Sequence, residues 1–147
     1  MAEELFRKSF TILGGNFDKA GESSSEIKEV LKGLHIDPTI IRRSVIIAFE
    51  AEMNVVMYAN IATLSFIITD EDICLEMADR GPGIADIEQA MQEGFSTAND
   101  KMREMGFGFG MGLPNIKKNS DFLAIESDVG KGTKLSARIR LNQDACS

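Results

Sequence analysis

The chain reads as an α+β protein: a two-layer α/β sandwich with a mixed, mostly antiparallel sheet and its helices on one face. Two observations lead there. Ile27, Val30, Leu31 and Leu34 recur at i, i+3, i+4 and i+7, the period of an amphipathic helix, and a longer stretch with a broad apolar face follows. Elsewhere, apolar and partly β-branched runs come in pairs around polar turns, Asp70-Glu71-Asp72 and Asp128-Val129-Gly130-Lys131-Gly132, which is hairpin chemistry. The order is β-α-α-β-β-α-loop-α-β-β, without repeats, linker or low-complexity segment. With 147 residues, the simplest organisation is a single domain over 1–147, long enough to bury a core.

Leu5 to Leu13 mixes apolar and polar residues with partial alternation and predicts a first strand, broken by Gly14-Gly15-Asn16. A helix is expected from about Asp18 to Leu34, or from Ser24 or Ser25 if the serine run caps it. Gly33 and His35 mark its end. Asp37-Pro38 is a helix start, an N-cap acid followed by proline at the first helical position. This second helix should reach about Ala59, with Val45, Ile46, Phe49, Met53, Val56 and Met57 on its apolar face. Ile61–Thr69 and Ile73–Ala78 form the first hairpin. A short helix is expected from about Asp86 to Gln92, then a long mobile loop from Gly94 to Met105. A helix from Gly110 to Asn119 and two strands, Phe122–Ser127 and Thr133–Leu141, complete the chain.

Composition narrows the function classes. A formal charge of −7 argues against general nucleic-acid binding, which needs a basic footprint. No apolar run approaches the ~20 residues of a membrane span, and the N-terminus lacks the basic and apolar regions of a signal peptide. Cys74, Cys146 and His35 are too few for a Cys/His zinc site or a disulfide scaffold. A reducing, cytoplasmic setting is expected. The methionines fall mainly at helical core positions or in the long loop, which predicts packing roles. Lys117-Lys118 are expected to form a solvated face, with engagement of an acidic partner as the lesser alternative, and Arg42-Arg43 are similarly ambiguous.

Three segments carry chemistry. Gly106, Gly108, Gly110 and Gly112 alternate through the run that ends Met111-Gly112-Leu113-Pro114. Glycines there allow close backbone approach, and a helix opening behind them offers N–H groups and a positive dipole to phosphate. The same alternation also suits a mobile loop or a bulged edge strand. Glu50 and Asn54 lie one helical turn apart and share a face, where they suit a hard cation and an oriented hydroxyl, or a solvated polar stripe. Asp79 ends a strand before Gly81 and Gly83. Its carboxylate would accept hydrogen bonds from an exocyclic amine such as that of adenine, unless Asp-x-Gly is only a turn. Gly130-Lys131-Gly132-Thr133 adds a backbone turn and a hydroxyl.

Together and in this order, these segments resemble the N, G1, G2 and G3 boxes of the GHKL ATPase superfamily with its Bergerat nucleotide-binding fold. The resemblance runs from about Phe10 to Leu141 and is nearest the small anti-sigma factor and serine-kinase branch (RsbW-, SpoIIAB- and RsbT-like). It implies ATP and Mg²⁺. Glu50 would be the carboxylate that activates a water or serine hydroxyl, and Asn54 the Mg²⁺ ligand. Tyr58 would stand near the nucleotide, Asp79 would read adenine, and Gly81 and Gly83 would shape its pocket. The loop Gly106–Gly112, with Met111 and Leu113, would lie over the phosphates, and Thr133 near the adenine. Phe95 to Met105 would be the ATP lid, offering Thr97, Lys101 and Arg103 to the phosphates. The pattern departs at Met57, where histidine kinases of this superfamily often carry lysine, and at Met53, which replaces a commonly polar residue. At this length a complete sensor histidine kinase is not expected.

The resemblance implies an ATP-dependent serine/threonine protein kinase acting on a STAS-domain antagonist of a bacterial partner-switching pathway. Tyr58-Ala59 and the run Gly108–Pro114 resemble the RsbT type more than the RsbW type. The alternatives are an anti-sigma factor that sequesters a sigma factor, and a nucleotide-gated regulator with little transfer activity. A PP2C-type phosphatase is a further partner, and a homodimer through the first strand and nearby helix is also implied.

Overall fold

The structure, a computed structural model, describes residues 2–84, 87–92 and 112–141. Strand β1 (Glu4–Leu13) leads through a single 3₁₀ turn (Phe17–Lys19) to helices α1 (Glu22–Gly33) and α2 (Pro38–Tyr58). Strands β2 (Ile61–Thr69) and β3 (Asp72–Arg80) form the first hairpin. Helices α3 (Ile87–Ala90) and α4 (Gly112–Asn119) precede the second, β4 (Phe122–Asp128) and β5 (Gly132–Arg140). The expected loop Gly94–Met105 and the residues Asp86 and Gly110 lie outside the described residues.

The five strands order as β1-β2-β3-β5-β4, and each pairing is antiparallel. The expected mixed sheet therefore has no parallel pair among the described strands. Two hairpins join neighbours directly, and the α1–α2 excursion returns the chain so that β2 runs against β1. Alternation along each strand places one set of side chains under the helices. Phe10 faces Leu64, Leu64 faces Met77, Met77 faces Leu135, and Leu135 faces Ile125 across successive strands. Against this face pack Ile27 and Leu31 of α1, Ile47, Ala51 and Val55 of α2, and Ile116 of α4, all buried. Each such large aliphatic side chain contributes about 1.5–3 kcal/mol on burial.

The helix starts differ in a telling way. At α2, Asp37 caps as expected: its Oδ1 accepts from the Thr39 N–H at 2.8 Å, with Pro38 in the first position. At α1 the serines do not cap. The helix starts at Glu22 behind Gly21, whose φ of 95° suits glycine, and the acceptor for its free N–H groups comes from α2. Glu52, 2% exposed, accepts from the Gly21 N–H at 2.9 Å and the Ser24 N–H at 3.4 Å. The Ser24 hydroxyl instead donates to the Gly21 carbonyl at 3.0 Å. Arg43 fixes the other flank of α2, donating from Nε to the Asn119 carbonyl at 3.0 Å and pairing with Asp121 at 3.1 Å. Helix α2 thus holds α1 on one side and the end of α4 on the other.

Candidate active site

The alternation that builds the core also builds one end of the site. Ile73, Leu75 and Met77 are buried under the helices, and the next residue in phase is Asp79. Its carboxylate is half-buried and accepts from the Thr133 N–H at 3.1 Å. Burial pushes the Asp79 carboxyl above its usual range, opposed by that hydrogen bond. Ser127 and Thr133 face each other across β4 and β5. Their hydroxyls are 2.8 Å apart, and Ser127 Oγ also accepts from the Ile84 N–H at 2.7 Å and reaches the Gly132 carbonyl at 3.1 Å.

Glycines let the backbones close around Asp79. A β-carbon on Gly132, where φ is 148°, would stand 2.1 Å from the Asp79 carbonyl oxygen. One on Gly81 would meet Ala59, just past α2, at 3.0 Å. Gly83, at φ 74°, lies against the Asp128 carbonyl, so its glycine serves the passage beneath the β4–β5 turn.

The second group sits on α2. Glu50 and Asn54, both half-buried, present their oxygens to the start of α4. A β-carbon on Gly112 would lie 3.1 Å from Glu50 Oε2 and 3.3 Å from Asn54 Oδ1. Burial raises the Glu50 carboxyl above its usual range, while a hydrogen bond with the Asn115 side chain draws it back. A buried carboxylate with a raised pKa is a stronger proton acceptor near neutral pH. No group of three His, Cys, Asp or Glu residues clusters among the described residues. Two oxygens beside a helix N-terminus fit a Mg²⁺ ion nonetheless, because that ion takes one or two protein ligands and fills its octahedron with phosphate oxygens and water.

The structure brings Glu50, Asn54 and Gly112 into one group, and Asp79, Gly81 and Thr133 into another. Tyr58 is half-buried in the last turn of α2, and Leu113 packs against the core. Met53 is buried in the core, and Met57 packs against it half-buried, so both serve packing. Thr97, Lys101, Arg103, Gly106, Gly108, Gly110 and Met111 lie outside the described residues. Sequence reading missed Ser127, Asn115 and Glu52. Ser127 carried a signal: it continues the inward phase of Leu123 and Ile125, as Asp79 continues that of Met77.

The geometry offers a carboxylate acceptor at one end, and a carboxylate–amide pair beside a helix N-terminus at the other. The fold that carries these groups is that of an ATPase domain. The profile of the family described as Histidine kinase-, DNA gyrase B-, and HSP90-like ATPase matches residues 41–143, and the chain belongs to that family. The sequence is similar to the serine/threonine-protein kinase RsbT of Bacillus subtilis, 41% identical over 59 residues, covering 40% of this chain and 38% of RsbT. It is also similar to the anti-sigma F factor of Caldanaerobacter subterraneus subsp. tengcongensis, 36% identical over 108 residues, covering 67% of this chain and 70% of that protein. The anti-sigma F factor of Clostridium acetobutylicum is 28% identical over 121 residues, covering 78% and 81%. The match to RsbT spans well under half of that protein. Among the described residues, no helix is long and apolar enough to cross a membrane.

Proposed function

We propose that the protein is an ATP-dependent serine/threonine protein kinase of a bacterial partner-switching pathway, with a STAS-domain protein as its substrate. The observation that carries this reading is the approach of Gly112 to Glu50 and Asn54, at 3.1 and 3.3 Å from a would-be β-carbon. A carboxylate suited to accept a proton, an amide oxygen suited to ligate a metal and a helix N-terminus meet there, which supports the reading, and Asp79 would supply the adenine acceptor. ATP is the phosphoryl donor. Asp79 accepts from the adenine amine, with Thr133 beside it and Tyr58 near the nucleotide. As the family resemblance implies, the glycines from Gly106 to Gly112 would serve the phosphates, together with Thr97, Lys101 and Arg103. Asn54 would hold Mg²⁺, which when bound neutralises phosphate charge. Glu50 takes the proton of the substrate serine as its Oγ bonds to the γ-phosphorus and ADP leaves. We also infer a cytoplasmic site of action and a homodimer, as the family resemblance implies.

Calorimetric ATP titration with and without Mg²⁺, on the wild type and Asp79→Asn, tests the reading. We expect Mg²⁺-dependent binding that falls sharply in the variant, followed by phosphate transfer to a purified STAS-domain protein. Absence of binding at millimolar ATP would overturn it. A second reading is favoured by coverage, since the anti-sigma F relatives align over more of the chain than RsbT does. In that reading the protein sequesters a sigma factor and uses transfer as a release switch. Pull-down of a purified sigma factor supports it, and binding only to a STAS protein or a PP2C-type phosphatase supports the first.

A further inference from the structure

A groove of about 680 Å³ lies where the C-terminal half of α1 and the first turns of α2 diverge. Its floor is apolar, made by Ile36, Ile41, Val45 and Ile46. Leu34, 52% exposed, stands next to it in the chain. Its rim is basic. Lys28 and Lys32 lie one turn apart on α1, and Arg42 faces them from α2. The ion pairs among the described residues are Arg7–Glu4, Lys8–Glu26 and Arg43–Asp121, so none of the three rim cations is paired there. The nearby acids do not answer them. Asp37 is engaged by the Thr39 N–H, and Glu29, three residues before Lys32 and within reach of it around α1, forms no ion pair with it in the structure. An unpaired basic rim over an apolar floor is unexpected on a chain of charge −7.

A concave apolar floor between two helices suits the apolar stripe of a third helix, and the cations suit carboxylates on its flanks. A nucleic acid would leave the floor unused, and a membrane surface is too flat to fill it. We propose that this groove docks an acidic, amphipathic helix of a protein partner, apolar side down between Lys28, Lys32 and Arg42. None of Glu50, Asn54, Asp79, Gly112 or Thr133 lines the groove, although Ile46 lies one turn before Glu50 on the same side of α2. The inference therefore does not depend on the kinase reading.

The test uses fluorescein-labelled 16-residue helical peptides with leucine on one side and glutamate, or lysine, on the other. Binding is followed by anisotropy and by ¹⁵N amide shifts of the full chain. The glutamate peptide should bind the wild type, lose affinity at least about tenfold in Lys28→Glu/Lys32→Glu/Arg42→Glu, weaken with salt, and shift amides between residues 28 and 46. The lysine peptide should not bind. The single variants Arg42→Gln and Ile46→Ala should each weaken binding with unchanged circular dichroism, which covers the event that the triple variant misfolds. Equal binding by the variants, shifts centred elsewhere, or tighter binding of single-stranded DNA or phosphatidylglycerol vesicles than of the peptide would each overturn the proposal. ATP titration of the same proteins should be unaffected by the substitutions. A wild type that fails to bind ATP counts against the kinase reading and leaves the groove result standing.

Discussion

The backbone N–H of Thr133 donates to Asp79 Oδ1 at 3.1 Å. A strand neighbour thus orients one oxygen of the pocket carboxylate and leaves the other for a ligand. The Ser127 hydroxyl extends the arrangement to Ile84 and so ties the segment after Gly83 to the β4–β5 turn. Ser127→Ala should leave the Ile84 N–H without this acceptor, at a cost of about 1–3 kcal/mol. Urea unfolding should show that loss. ATP affinity should fall by about five- to tenfold, equivalent to roughly 1–1.4 kcal/mol. Unchanged affinity would assign Ser127 to the turn alone.

Gly112→Ala separates folding from function. Gly112 is the first residue of α4, where alanine's helix-interior advantage over glycine is small, so stability should change little as the flexible Glu50 and Asn54 side chains give way. The new methyl carbon would crowd Glu50 Oε2 at 3.1 Å and Asn54 Oδ1 at 3.3 Å, and phosphate transfer should drop. Thermal melts and transfer assays on one preparation check both expectations.

Burial raises the Glu50 carboxyl above its ordinary value of 4.5. In its proposed role as proton acceptor it must be ionised, so transfer should be lost as pH falls through the raised value. The acid limb of the rate profile should therefore lie above pH 4.5. Glu50→Gln should abolish that limb and lower transfer by about 10²-fold or more, with ATP binding intact. The stability sign is opposite. A carboxyl with a raised folded pKa stabilises below its unfolded pKa and loses that contribution as pH rises through the folded value. The glutamine variant should therefore melt higher than wild type at pH 7, with the difference vanishing below pH 4.5. A variant that melts lower at neutral pH would contradict this account.

Glu52 accepts from Gly21 and Ser24 at the start of α1. Glu52→Ala should cost about 1–3 kcal/mol for each buried donor left without a partner, and amide exchange should accelerate over residues 21–27. Glu52→Gln, which keeps one acceptor oxygen, should recover part of the loss. Equal exchange in wild type and Glu52→Ala would mean that water caps α1 instead.

Much of this was written locally in the chain. Asp37-Pro38 carries its own cap, and the hairpin turns carry theirs. Asp79 follows the inward phase of β3 to the strand end, which made it legible as a pocket residue. Glu50 and Asn54 announce themselves by their spacing on an apolar helix. Glu52 does not, because its partners lie 28 and 31 residues away and the serine run offered a nearer explanation for the same helix start. Ser127 serves Ile84 across 43 residues. Arg43, ambiguous beside Arg42, is settled by Asn119 and Asp121 on a distant segment, while Arg42 turns to the groove. Pairing sense is equally non-local, so strand signals could not exclude a parallel neighbour.

Helix α2 carries the Arg43 clasp on the end of α4, the Glu52 anchor to α1, Glu50 between those two and Asn54 just beyond them. A slip of one residue along its axis, about 1.5 Å, would undo all three together. Glu50 is therefore held by the same cooperative unit that holds the core. Loss of the Glu50–Asn54 geometry and loss of the helical layer are one event in this molecule.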